Sequence, residues 1–135
     1  MIGIVPISRF LRENPTSESP ATFEDFLNHL DYMVKVAGID HVGLGLDLLE
    51  FEPAFTQTGV MSARDFPPER QNRIFKPEFW GRMDDWEGVV AQGFDSVTHI
   101  PKLPPALRDR GYDDEAVAKI MGLNFLRVFR QVWGG

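Results

Sequence analysis

Asp47 is the residue best placed to do chemistry in this chain. It closes the run Gly38-Ile39-Asp40-His41-Val42-Gly43-Leu44-Gly45-Leu46-Asp47. That run reads as a short buried strand, and a long loop opens after it. A carboxylate at the C-terminal end of a parallel strand is where α/β barrels place groups that move protons or hold substrate. Two readings are open from position alone. Asp47 either faces a site or caps the following loop through backbone hydrogen bonds. Gly43 and Gly45 form Gly-x-Gly, but Leu48 stands at the third glycine position of a dinucleotide fingerprint. The pair also lies inside the strand rather than after it, so the fingerprint fails. Close backbone approach in a crowded sheet accounts for both glycines.

The other polar residues form no recognisable site. The three histidines are His29, His41 and His99, and none has a metal-ligand spacing such as H-x-D or H-E-x-x-H. No metal ligand is therefore assigned in the chain. His29 reads as a surface or second-layer residue near Asp25 and Tyr32. His41 reads as a structural hydrogen-bonding group beside Asp40, and His99 stays open between structure and function. No Ser-His-Asp arrangement can be read from spacing. The acidic clusters Asp84-Asp85 and Asp113-Asp114-Glu115 are explained by helix ends and solvated surface. Phe79-Trp80 reads as core or lid packing, with a pocket lining as the other reading.

Composition narrows the class. The 135 residues suffice for one ordinary domain, with 43% hydrophobic and 25% charged residues, the balance of a globular protein. The absence of cysteine excludes disulfides, thiolate metal sites and cysteine nucleophiles. Net charge is −6 with no basic tract, so nucleic acid is not expected as a partner. No stretch approaches the roughly 20 apolar residues that span a bilayer. The opening Met1-Ile2-Gly3-Ile4-Val5-Pro6 lacks the basic start of a signal peptide, and a cytoplasmic location is expected.

The elements that must position Asp47 follow from periodicity. Met1 to Val5 reads as a buried strand ended by Pro6, and Ser8 to Pro20 as a loop. Thr22 caps a helix with Glu24 and Asp25 in its first turn. Phe23, Phe26, Leu27, Leu30, Met33, Val34 and Ala37 form its apolar face, and Gly38 ends it. A strand from His41 to Leu46 follows. Strand, helix, strand predicts a parallel βαβ unit. Residues 48–100 lack periodicity and read as a long irregular insertion. Pro104 or Pro105 then opens a short helix that Gly111 closes, and Asp113 caps the next. Gly122 interrupts, and Asn124 caps a last turn or helix. There Phe125, Leu126, Phe129, Val132 and Trp133 continue the apolar face.

These residues together resemble the C-terminal part of the membrane (renal) dipeptidase family of zinc metallopeptidases. Ile2-Gly3-Ile4-Val5-Pro6 with Arg9-Phe10-Leu11 is similar to that family's penultimate barrel strand and loop. Phe23 to Asp31 resembles the following helix, and Gly38 to Asp47 the last barrel strand. Gly93-Phe94-Asp95-Ser96-Val97 and Pro101-Lys102-Leu103 resemble the approach to its terminal helices. Arg110-Gly111-Tyr112-Asp113-Asp114-Glu115 and Asn124-Phe125-Leu126-Arg127-Val128-Phe129 resemble its C-terminal signature. The resemblance implies an α/β fold: about two βα units plus terminal helices of a TIM-type (β/α)8 barrel. It implies a peptidase that hydrolyses dipeptides with two zinc ions. Asp47 matches the family's aspartate that handles a proton and contacts the substrate's amino end.

The sequence departs from the family beside that residue. The family continues as Phe-Asp-Gly, whereas this chain reads Leu48-Leu49-Glu50, and Leu46 replaces a small or polar residue. Pro6-Ile7-Ser8 carries no match to an aromatic that contacts substrate. The family's zinc ligands lie on strands that precede these, so no zinc is expected on this chain alone. The expectation is a single incomplete domain. Residues 1–47 hold the last two barrel strands and their helix, 48–100 the insertion, and 101–135 the terminal helices. The expected function is that of a dipeptidase-like fragment, inactive alone and acting on dipeptides in a complete enzyme. A homo-oligomer or a complementing fragment would cover its open sheet edges. The alternative is a non-catalytic α/β binding or scaffold module derived from that barrel.

Overall fold

One amphipathic helix organises the chain. The structure is a computed structural model that describes residues 1–13, 15, 18–47 and 90–134. Strand β1 (Ile2–Ile4) is followed by a short helix α1 (Ser8–Leu11) and the long helix α2 (Phe23–Ala37). Strand β2 (Val42–Leu44) lies parallel to β1, with Ile2 opposite Val42, Gly3 opposite Gly43 and Ile4 opposite Leu44. Helices α3 (Leu103–Asp109), α4 (Asp114–Ala118) and α5 (Asn124–Trp133) follow, with a 3-10 helix over Val97–Lys102 before α3 and a π-helical segment over Lys119–Leu123 between α4 and α5. The parallel βαβ unit expected from the sequence is present.

Helix α2 starts and stops where its sequence dictates. The Thr22 side chain accepts from the Asp25 backbone N–H at 3.2 Å, and Asp25 accepts from the Thr22 N–H at 2.8 Å. This reciprocal capping box satisfies two donors that the helix itself leaves unpaired. Gly38 ends the helix with φ +86, a conformation that favours glycine. Phe26, Leu27 and Leu30 are buried against Ile4, Val42, Phe94, Leu103, Leu107, Val117 and Ile120. Each large side chain so withdrawn contributes about 1.5–3 kcal/mol. This cluster, rather than a three-residue strand pair, therefore holds the described part together.

The two sheet faces differ. Ile4, Val42 and Leu44 face the α2 side. By the two-residue period of a strand, Gly3, Gly43 and Gly45 face the other way. A Cβ on Gly3 would lie 3.1 Å from the Gly45 Cα, and one on Gly43 would lie 2.8 Å from the Phe125 ring. Backbone approach on one side and an aromatic lid on the other thus demand glycine there.

Several expectations change. The strand expected over His41–Leu46 is shorter, because Ile39–His41 forms a 3-10 turn and pairing covers only Val42–Leu44. The turn closes through the His41 N–H to the Gly38 carbonyl at 3.1 Å, which delivers Val42 directly to the sheet. The strand expected to be buried from Met1 is open at its start, since Met1, Ile2 and Gly3 are exposed. Ser8–Leu11 is helical where a loop is expected, and the buried Ser8 hydroxyl accepts from the Ala21 N–H at 3.3 Å. The described end of the 48–100 stretch is not irregular padding. Ala91 and Phe94 are buried, and the Phe94 ring packs 4.8 Å from Phe26 and 5.2 Å from Phe23.

Candidate active site

Because β1 and β2 are parallel, their C-terminal ends share one edge of the sheet. The Gly45 N–H donates to the Ile4 carbonyl at 3.1 Å, extending the pairing one residue beyond β2. Two residues later Asp47 lies exposed at that edge. Its φ is +47, and among the described residues it is the non-glycine residue with positive φ. Asp tolerates this left-handed region better than most residues. The backbone thus takes a left-handed conformation at Asp47 just past the strand, the kind of sparsely populated conformation that clusters at functional sites.

The same edge is braced by residues far away in sequence. The Ala91 N–H donates to the Pro6 carbonyl at 2.7 Å, and Val90 bridges Ile7. The Gln92 N–H donates to the Ala21 carbonyl at 2.7 Å, and the Phe23 N–H donates to the Gln92 carbonyl at 3.0 Å. Residues 90–92 therefore stitch the exit of β1 to the start of α2. Sequence reasoning missed this brace, for which no local periodicity gives a signal.

The opposite end of β2 is held by the C-terminal helices. The Asn124 Nδ2 donates to the Ile39 carbonyl at 2.7 Å and to the Val42 carbonyl at 2.9 Å. Asn124 is buried and has helical dihedrals, so it is a clamp and not the helix cap expected from its sequence position. Arg127 Nη2 donates to the Asp40 carbonyl at 2.6 Å, and Lys119 Nζ lies 2.9 Å from both Asp40 and Glu115. Hydrogen bonding to Glu115, then to Asp40, holds the Lys119 ammonium above the usual lysine range. The Lys119 hydrogen bond likewise holds the Asp40 carboxyl below its usual range.

A second polar joint ties α2 to the turn between α3 and α4. Arg110 pairs with Asp31 and Glu24 and donates to Asn28 Oδ1 at 3.0 Å. The Tyr112 hydroxyl donates to Asp31 Oδ1 at 2.9 Å. Burial first, and then that bond to Asp31, push the Tyr112 phenol far above its ordinary value.

The histidines stay apart from Asp47, and no hydrogen bond or ion pair among the described residues joins them to it. His41 is exposed in the turn at the far end of β2. His29 lies on α2, where burial holds its pKa below the ordinary value. His99 Nδ1 lies 3.1 Å from Asp95 Oδ1, one turn away. Asp113 caps α4 by accepting from the Ala116 N–H at 2.8 Å, as its place in the acidic cluster predicts. Leu48-Leu49-Glu50, Phe79-Trp80 and Asp84-Asp85 lie outside the described residues.

A sequence model of the membrane dipeptidase family, peptidase family M19, matches residues 1–59 and 80–133. The chain belongs to this family. Its relatives carry the same relationship. A Klebsiella pneumoniae protein, described only as an uncharacterised protein in the pqqA 5′ region, is 25% identical over 98% of this chain and 35% of its own length. Dipeptidase ataJ of Aspergillus terreus is 30% identical over 91% of this chain and 22% of its own length. Dipeptidase verJ of Clonostachys rogersoniana is 28% identical over 96% and 24%. A solved amidohydrolase from Pseudomonas aeruginosa matches the fold with a TM-score of 0.66 at 22% identity. That match covers all of this chain and 37% of the amidohydrolase. This membrane dipeptidase family chain thus spans about a fifth to a third of the curated relatives and shares its fold with part of an amidohydrolase.

The described residues of the dipeptidase-family chain do not themselves make a metal site. Among them no group of three or more His, Asp or Glu side chains could hold an ion. No described helix is long and apolar enough to cross a membrane. What the arrangement offers chemically is an exposed carboxylate at the C-terminal end of a parallel strand.

Proposed function

We propose that this chain is the C-terminal portion of a (β/α)8 dipeptidase and that Asp47 is its contribution to the active site. The observation that carries this reading is the position of Asp47. It is an exposed carboxylate with a left-handed backbone φ just past the C-terminal end of a parallel strand, in a member of the membrane dipeptidase family. In a barrel, that end of every strand faces the reaction centre.

In this reading Asp47 accepts the substrate's ammonium group and holds or moves one proton during hydrolysis. An exposed carboxylate on a short tether can reach an α-amino group, and the charge-assisted bond it makes is stronger than a neutral one. Ser8 and the 90–92 brace support the exit of β1, Asn124 holds the start of β2, and none of them touches substrate in this reading. The two zinc ions implied by the family would polarise the peptide carbonyl and supply the nucleophile when bound. The described residues do not fit that pair. The proposed domain divisions accord with this reading: residues 1–47 give two strands and a helix, 48–100 the insertion, and 101–135 the terminal helices.

The test is hydrolysis of dipeptides by the 135-residue chain alone and by the chain joined to the rest of a family member. The chain alone is expected to bind no stoichiometric zinc and to show no activity. Chelator-sensitive hydrolysis by the chain alone would overturn the need for other strands. In the joined protein, Asp47→Asn is expected to lower kcat by about 10²–10⁴-fold, the usual worth of a positioned proton-transfer group. Full activity of Asp47→Asn would remove Asp47 from the site. Leu48-Leu49-Glu50 favours a second reading, because a remodelled loop beside Asp47 fits a non-catalytic binding module. That reading expects a joined protein that folds but hydrolyses nothing.

A further inference from the structure

We infer that Asn124 is a positioning residue for Asp47: it sets the register of β2 against β1 and so fixes how far Asp47 projects from the sheet. The inference rests on the reading of Asp47 as a site residue and names what holds it at its height.

The need for such a residue lies in the strands themselves. In the observed register Ile2, Gly3 and Ile4 lie opposite Val42, Gly43 and Leu44. The next two residues are Gly45 and Leu46. Val42-Gly43-Leu44 and Leu44-Gly45-Leu46 therefore repeat one alternation of branched apolar residue and glycine. Leu44 and Leu46 both pack against the α2 cluster. On the other face, a Cβ on Gly45 would meet the Gly3 backbone at 3.0 Å. A slip of one residue would turn leucine onto the glycine face, and the burial of the α2 face opposes it. A slip of two residues would set Ile2 opposite Leu44 and Ile4 opposite Leu46. It keeps an apolar side chain at every apolar position and glycine at every glycine position. Glycine-rich strands specify register weakly, so pairing and burial do little to separate these two frames. At about 3.3 Å per residue, the slipped frame would draw Asp47 about 6.6 Å back toward the start of the strand.

Asn124 breaks this degeneracy. It is buried, and its amide directs both hydrogens at β2, to the Ile39 carbonyl at 2.7 Å and to the Val42 carbonyl at 2.9 Å. One amide reaches two carbonyls three residues apart because the 3-10 turn over Ile39–His41 folds them together. In an extended strand two such carbonyls would lie about 10 Å apart. The slipped frame carries the turn away from Asn124 and leaves buried polar groups without partners, which is costly. Arg127 and Lys119 also reach Asp40. Asp40 is exposed, however, and water replaces such bonds at little cost. The buried bonds of Asn124 are the ones that distinguish the two frames.

The experiment is a double-mutant cycle on the 135-residue chain joined to the rest of a family member. It reads kcat/KM for a dipeptide on protein shown to be folded by circular dichroism. Asn124→Ala is expected to lower kcat/KM by about tenfold or more, since a misplacement of about 1 Å can cost on the order of 10²-fold in rate. In the Asp47→Asn background the same change is expected to cost less than about twofold, because Asn124 acts through Asp47. Leu46→Ser would put a hydroxyl at the Leu44 position of the slipped frame. Added to Asn124→Ala, it is expected to bring kcat/KM back to within about threefold of the parent without restoring the unfolding midpoint. A merely structural Asn124 gives the opposite on both counts: equal losses in either background, and a further loss on adding Leu46→Ser. Either of those results overturns the inference, as does parent activity in Asn124→Ala. Where Asn124→Ala does not fold, Asn124→Ser, whose hydroxyl is too short to serve both carbonyls, enters the same cycle with the same expectations. Full activity of Asp47→Asn would remove the reading of Asp47 and this inference with it. A loss at Asp47 with none at Asn124 would remove the inference alone.

Discussion

The two ends of β2 are built differently. At its start, Asn124, Arg127 and Lys119 reach residues 39–42 from the C-terminal helices with four contacts of 2.6–2.9 Å to backbone or carboxylate oxygens. At its finish, Gly45 and Leu46 lead to the exposed carboxylate of Asp47, whose φ is positive. Distant side chains fix the first end, whereas the second keeps a charged group free for solvent or substrate. The contrast sets a braced end against the exposed carboxylate of the proposed site along six residues. Substitutions at the start should unfold the unit, and substitutions at the finish should leave it folded.

The largest effect on stability is expected at Asn124. Replacing it with Ala leaves the Ile39 and Val42 carbonyls without their donor, at about 1–3 kcal/mol for each group left unsatisfied. Asn124→Ala should therefore lower the urea midpoint more than any other single change discussed for β2. Equilibrium unfolding of the 135-residue chain measures it directly. A midpoint within error of the parent would break the comparison, because the start of β2 would then not be held by this clamp.

Gly43→Ala comes next. Its methyl group would press on the Phe125 ring and on the flexible end of Met1. Overpacking of this kind costs about 1–3 kcal/mol, and the mobile Met1 side chain puts this site at the low end. The double variant Gly43→Ala with Phe125→Leu should cost less than the sum of the two single changes. Strict additivity would mean that the ring does not lie on this glycine.

Tyr112 sharpens the comparison on the helix side. Its folded-state pKa is raised, by burial and by the bond to Asp31, so the neutral phenol is favoured in the native state. Stability from this group is fully present below the ordinary tyrosine value of about 10 and is lost as pH rises through the higher folded-state value. Tyr112→Phe should cost about 1 kcal/mol near neutral pH and should flatten the alkaline loss. A parent chain whose unfolding midpoint is unchanged between neutral and strongly alkaline pH would contradict the half-buried Tyr112–Asp31 joint.

What the sequence makes legible divides along the same line. The Thr22 cap, the α2 face, Gly38 and the Asp113 cap are local patterns, and the structure follows each. Asn124 is read from its sequence neighbours as a cap, whereas its partners lie 82 and 85 residues away. The 90–92 brace is equally non-local, since its backbone groups meet Pro6 and Ala21. The 3-10 turn over Ile39–His41 is too short to leave a periodic trace. Asp47 stands out for a different reason: a carboxylate directly after an apolar strand is a pattern over six residues, whatever packs around it. The family resemblance is legible for the same cause, being carried by short runs in a fixed order.

The smallest effect is expected at Asp47 itself, and its sign is the informative part. A non-glycine residue at φ +47 is held in a region where a Cβ is unfavourable. Glycine adopts this region without the steric penalty but loses more freedom on folding, and the two terms offset to within about 0.5–1 kcal/mol. Asp47→Gly should therefore leave the unfolding midpoint nearly unchanged or raise it slightly. If the side chain instead capped the next loop, Asp47→Gly and Asp47→Ala would both destabilise, by about 1 kcal/mol for a lost hydrogen bond. Measuring the two together distinguishes a carboxylate kept for chemistry from one kept for structure. Ala alone would lose stability from strain in the first case, whereas both would lose it in the second.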